Sequence, residues 1–158
     1  IVRRSEGSPN AINIVGIESP GLAAAPAIAE LACSMFEEMA GTLKANASFN
    51  PVRPTPVRFD ILDNEQRRRL IEKDKAYGRI ICRCESVTEG EILDAIRAPA
   101  GAVDVDGVKR RTRAGMGRCQ GGFCGSKVVE ILARELGVEI DQITKFGGGS
   151  LILSGKSK

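Results

Sequence analysis

Four of the five cysteines in this chain fall in two tight pairs, Cys82-Arg83-Cys84 and Cys119-Gln120-Gly121-Gly122-Phe123-Cys124, and there is no histidine anywhere. An odd total with C-x-C and C-x4-C spacing points to a shared thiolate site in a reducing compartment rather than to a disulfide framework. The missing histidine removes Ser-His and Cys-His nucleophile pairs, His-ligated zinc and Rieske-type clusters. Any metal must be held by thiolates or carboxylates.

Composition narrows the class further. Hydrophobic residues make up 42% and charged residues 27% of the 158 positions, an ordinary globular balance. Twenty-three basic against twenty acidic side chains leave a net charge of +3, too little to imply nucleic-acid binding. Aromatics at 4%, with no Trp, also argue against a base-stacking surface. No signal-peptide pattern is visible, and no apolar run approaches the roughly 18–20 residues that span a bilayer. The expected setting is the cytoplasm, or a peripheral position at the inner face of the membrane through a partner. The chain opens on Ile1 rather than Met, which suggests a fragment of a longer protein.

Three stretches follow one another. In the first, residues 1–49, the β-branched alternation from Ala11 to Ile17 predicts a short strand and Glu18-Ser19-Pro20-Gly21 a turn. A helix is expected from Leu22 to about Ala45, with Ile28, Leu31, Met35, Phe36 and Met39 as its core stripe, Ala24, Ala25 and Ala29 as a close-packing face and Cys33 as a buried inert thiol. One strand and one helix cannot close a sheet, so further strands are expected upstream. In the second stretch, residues 50–78, Pro51, Pro54 and Pro56 favour an extended connector, and Asp63-Asn64-Glu65 opens a basic amphipathic helix to about Lys75 that reads as a solvated linker.

The third stretch, residues 79–146, carries the chemistry, and residues 147–158 read as a glycine-rich hinge followed by a short edge strand or a tail. Thr88 and Glu91 form a capping box, with Val87 and Ile92 at hydrophobic-staple spacing and Ile92, Leu93 and Ile96 as the apolar stripe. A second helix is expected from Asp104 or Asp106 to Gly115. A third starts between Cys124 and Ser126, buries Val128, Val129, Ile131, Leu132 and Leu136, and stops at Gly137. The run Lys109-Arg110-Arg111-Thr112-Arg113 reads as a solvated helix face or a docking patch. Glu37-Glu38 and the Asp104/Asp106 pair read as surface and capping groups, so no catalytic acid or base is assigned.

The helical hairpin between the cysteine pairs brings both to one end of a small bundle. Cys124 at a helix N-terminus gains the positive end of the dipole, and the glycines at 115, 117, 121, 122 and 125 let backbone amides approach the sulfurs. Spacing alone leaves an iron–sulfur cluster, a structural zinc ion and unligated thiols open, since C-x-C is unusual for zinc and neither common ferredoxin spacing occurs.

The blocks Ile81-Cys82-Arg83-Cys84-Glu85, Val87-Thr88-Glu89-Gly90-Glu91 and Lys109 through Cys124 closely resemble the bacterioferritin-associated-ferredoxin-like (BFD-like) 2Fe–2S domain at the C-terminus of anaerobic glycerol-3-phosphate dehydrogenases. The resemblance implies a 2Fe–2S cluster on Cys82, Cys84, Cys119 and Cys124 and a mostly α fold. It also implies an electron-transfer role, with a zinc or cysteine-rich interaction domain as the non-redox alternative. Gly16-Ile17-Glu18-Ser19-Pro20-Gly21-Leu22 and Ala25-Pro26-Ala27-Ile28-Ala29 resemble the last FAD-contacting loop and helix of the D-amino-acid-oxidase-type flavoprotein fold. That implies FAD in the parent, contacted by residues 16–22, and makes residues 1–49 the strand–helix remnant of an α/β FAD-binding domain. No G-x-G-x-x-G fingerprint is present, so the flavin site is incomplete and the fragment alone is expected to be inactive. The implied partners are the FAD domain of the same protein and an electron-acceptor subunit.

Overall fold

The computed structural model describes residues 1–155, and the chain divides into two units, Ile1–Arg53 and Pro54–Lys158. In the first unit β1 (Val2–Arg4) pairs antiparallel with β2 (Ile12–Ile14), Val2 opposite Ile14 and Arg4 opposite Ile12. The expected strand is therefore shorter than the 11–17 alternation, and its partner lies at the very start of the chain. Three residues that include Arg3 and Arg4 carry too little alternation to be read as a strand. The following helix, α1 (Gly21–Ala40), ends where Gly41 turns to φ +80°, short of the expected Ala45.

The apolar stripe on α1 is not a core. None of its residues is buried, Leu31 and Phe36 are 49% and 44% exposed, and Cys33 is exposed rather than buried. Ala25 and Ala29 are exposed as well. A twenty-residue helix beside two three-residue strands has too little partner surface to cover a stripe.

The second unit builds a true core. Helix α2 (Asn64–Lys73) starts on a complete capping box, in which Asp63 accepts from the Gln66 amide at 2.8 Å and the Gln66 side chain accepts from the Asp63 amide at 3.0 Å. Flanking 3₁₀ turns bury Phe59 and Tyr77, so the connector packs on the helices that follow it. Gly90 gives Tyr77 its place, since a Cβ there would stand 2.6 Å from the ring. The Tyr77 hydroxyl donates to Asp94. The Phe59 amide donates to Glu91 Oε1 at 3.0 Å.

A two-strand ribbon, β3 (Ile80–Cys82) and β4 (Val87–Thr88), carries the first cysteine pair and is irregular between Ile80 and Cys82. Helix α3 (Glu89–Arg97) opens on the expected Thr88/Glu91 capping box. Helix α4 (Val105–Thr112) is capped by Asp104, and two of its first amides are met by the carbonyls of Thr144 and Lys145. It stops before Gly115 because Arg113 already takes φ +70°. Helix α5 (Gly125–Leu136) buries Val128, Val129, Ile131 and Leu132 and ends at Gly137 with φ +66°. Leu136 is 36% exposed, contrary to expectation, because it lies on the last turn, where the chain leaves the bundle.

Ile92, Val108, Leu132 and Ile143 are fully enclosed at the centre, each contributing about 1.5–3 kcal/mol of burial. Cys82 and Cys124 belong to the same cluster. Glu89, also buried, binds Arg79 and Arg134. Beyond α5 the chain makes a 3₁₀ turn (Ile140–Gln142). The expected edge strand reduces to one bridge between Thr144 and Leu151, and residues 156–158 of the tail lie outside the described residues. No helix among the described residues is long and apolar enough to cross a membrane.

Candidate metal centre

The ribbon and the α4–α5 loop bring the two cysteine pairs to one end of the bundle. Cys82 closes β3 and points into the core at 1% exposure. The chain then turns through Arg83, Cys84, Glu85 and Ser86, the last at φ +53°, which leaves Cys84 exposed. Across the bundle Cys119 sits in the loop after α4, and Cys124 is the residue on which α5 begins, 2% exposed.

The four thiols gather from both sequence pairs, with Cys82 and Cys124 buried and Cys84 and Cys119 nearer the surface. Cys84 Sγ lies 3.6 Å from Cys119 Sγ at the surface. Cys82 and Cys124 are enclosed, and burial, reinforced by the neighbouring Cys82 and Cys119 thiols, pushes the Cys124 thiol up to about 11. Cys119 moves the other way. The Phe123 amide, then the Cys84 thiol and the Gly121 amide, hold it below the ordinary thiol range. Among the described residues no three His, Cys, Asp or Glu side chains converge closely enough for one metal ion.

Glycine makes the approach possible at one position above all. A Cβ on Gly117 would stand 2.3 Å from the Cβ of Cys84 and 3.2 Å from Glu85 Oε1, so only a residue without a side chain fits between loop and ribbon. The loop holds its shape through its own backbone, with Gln120 N to Gly117 O at 2.9 Å and Gly122 N to Cys119 O at 3.0 Å. The Gln120 side chain adds bonds to the carbonyls of Met116 and Gly117. Gly115 and Gly121 supply the left-handed turns, at φ +87° and +88°. Gly125 has nothing within 4 Å of its Cβ position, so the close approach expected of it is absent.

The basic run is largely engaged elsewhere. Arg110 pairs with Asp106, Arg111 donates to the carbonyls of Gly107 and Ala100, and Arg113 pairs with Glu85 at 2.6 Å. The Glu85–Arg113 pair ties the first cysteine turn to the end of α4, a contact that no local pattern announces. The other candidate segment, Gly16 through Leu22, runs from the loop after β2 into the first turn of α1 and is almost wholly exposed, with Gly16 at φ +68° and Leu22 96% exposed.

Residues 80–134 match the family described as the BFD-like [2Fe-2S] binding domain. Over its whole length the chain is 50% identical to a glycerol 3-phosphate dehydrogenase of Caloramator mitchellensis, of which it spans 33%. It is 31% identical over 86 residues to an anaerobic glycerol-3-phosphate dehydrogenase component from Haemophilus influenzae, covering 51% of this chain and 15% of that one. A hydrogen cyanide synthase component from Pseudomonas aeruginosa is 48% identical over 58 residues, 37% of this chain and 12% of that one. No solved structure matches.

Proposed function

We propose, from the premise that residues 80–134 are a BFD-like [2Fe-2S] binding domain, that Cys82, Cys84, Cys119 and Cys124 hold the cluster and that the unit relays electrons for a flavin-dependent dehydrogenase. The observation that carries this reading is the gathering of the four thiols at one end of the bundle, with Cys84 Sγ 3.6 Å from Cys119 Sγ and Cys82 and Cys124 enclosed in the core. A bound [2Fe–2S] group supplies reversible one-electron transfer there. The protein's own contribution is positional and electrostatic. The amides of Gly121, Gly122 and Phe123 stabilise negative charge at the Cys119 sulfur, Gly117 lets the loop close over Cys84, and the core holds Cys82 and Cys124 away from water.

The whole-chain likeness to a glycerol 3-phosphate dehydrogenase supports such a parent, in which residues 1–49 close an FAD domain and Gly16, Ile17, Glu18, Ser19, Pro20, Gly21 and Leu22 contact the flavin. Residues 50–78 then connect it to the cluster domain of residues 79–146, and the setting is cytoplasmic. The likeness to hydrogen cyanide synthase, a relative named for a different reaction, supports assigning substrate choice to the flavin part and electron relay to this unit.

Anaerobic reconstitution of the full chain with iron and sulfide tests the reading. About two irons and two sulfides per chain with visible charge-transfer bands are expected, and Cys119→Ser should abolish the bands. A colourless protein that retains one tightly bound zinc refutes it.

A further inference from the structure

Every arginine between residues 79 and 134 has a carboxylate or carbonyl partner among the described residues, except two. Arg79 and Arg134 bind Glu89, Arg97 binds Glu135, Arg110 binds Asp106, Arg111 binds carbonyls and Arg113 binds Glu85. Arg83 and Arg118, which adjoin Cys84 and Cys119 in sequence, make no ion pair or hydrogen bond among the described residues and are exposed. Lys127 joins them on the first turn of α5, where a cation opposes the helix dipole and no acidic residue accompanies it. Fold stability does not account for a lysine there. Phe123, 84% exposed, lies on the loop that links Cys119 to Cys124. An exposed aromatic and three unpaired cations, each within a few residues of Cys84, Cys119 or Cys124, have the composition of a docking surface with charged surroundings.

Building on the electron-transfer reading above, we propose that Arg83, Arg118, Lys127 and Phe123 form the face through which this unit meets its electron acceptor, a redox protein whose contact surface is rich in carboxylates. The charge complementarity requires an acidic partner, and the exposed Cys84 with the half-buried Cys119 gives it the shortest route to the site. The step moves one electron from the reduced chain to an acceptor metal ion, and no bond is made or broken.

The test uses the reconstituted full chain, reduced and mixed in stopped flow with two oxidants, an acidic blue-copper protein and a basic cytochrome c. For the acidic oxidant at low salt, Arg83→Glu with Arg118→Glu should slow electron transfer and weaken binding by about ten-fold or more, an effect that collapses near 0.5 M salt. The same variant should react faster with the basic oxidant. Phe123→Ala should slow the acidic oxidant about two- to ten-fold and leave ferricyanide oxidation unchanged. Arg68→Glu with Arg69→Glu on α2, equal in charge change and both already paired with Glu65, should do neither. If the Arg83/Arg118 variant changes both protein oxidants equally, or no more than the α2 variant does, the arginines only tune the site and the docking proposal fails. A chain that never acquires a reversibly reducible chromophore overturns the electron-transfer reading itself.

Discussion

Replacing Gly117 by alanine isolates the steric requirement of the thiolate site. Gly117 does not occupy the left-handed region, so the only objection to a methyl group is room. The added Cβ would lie 2.3 Å from Cys84 Cβ, 3.2 Å from Glu85 Oε1 and 3.4 Å from Glu85 Cγ. Carbon atoms pack at about 3.5–4.0 Å, so Cys84 and the loop must separate by roughly 1 Å or more. Metal–sulfur distances tolerate about 0.2 Å, so a displaced Cys84 sulfur should no longer share a site with Cys119. Overpacking of this kind also costs about 1–3 kcal/mol in the metal-free fold.

The expected outcome is a folded protein, melting several degrees lower, that takes up little iron on anaerobic reconstitution. Iron per chain, visible absorbance and a melt of the metal-free protein measure all three. Gly149→Ala, at a glycine with nothing within 4 Å and no left-handed backbone, should load normally. If Gly117→Ala binds as much iron as the parent chain with the same spectrum, the reasoning from close approach is wrong.

Two further outcomes are expected. Tyr77 is the chain's one tyrosine and there is no Trp, so ultraviolet titration reports it alone. Burial, and then its bond to Asp94, raise its pKa above the ordinary value of 10.0. The neutral phenol is favoured in the fold, so its stabilisation is complete below about pH 10 and is lost as pH rises further; melts from pH 8 to 11.5 should show the gap between wild type and Tyr77→Phe closing only at the alkaline end, and a phenol titrating at its ordinary value in folded protein would contradict this. For the cysteines, iodoacetamide mapping of the metal-free chain should label the exposed Cys33 and Cys84 before the enclosed Cys82 and Cys124, whereas after reconstitution only Cys33 should react. Protection of Cys33 would mean that the wrong thiol has been left out of the site.

How much of this was legible in the sequence depended on the range of the interactions involved. The caps at Asp63, Thr88 and Asp104 and the stop at Gly137 use residues no more than a few positions apart, and all four stand where the local pattern places them. The α1 stripe misled because periodicity registers only that one helix face is apolar, whereas burial needs a partner surface that two three-residue strands do not offer. Strand β1 escaped notice because its pairing with β2 is not encoded in its own three residues.

The cysteine spacings pointed to a shared thiolate site, the absence of histidine excluded every histidine-dependent one, and all four sulfurs fall within one segment. Tertiary structure decided how those sulfurs are arranged. Cys84 meets Cys119 near the surface while Cys82 and Cys124 are enclosed, because the turn after β3 lifts Cys84 out while the start of α5 draws Cys124 into the core. Which arginines remain unpaired was likewise settled only when distant carboxylates such as Glu85, Glu89 and Glu135 had chosen their partners. Candidate ligands follow from residue type and short spacing, which the chain carries locally. Arrangement, exposure and charge balance follow from contacts between segments some thirty residues apart, which exist only once the bundle has closed.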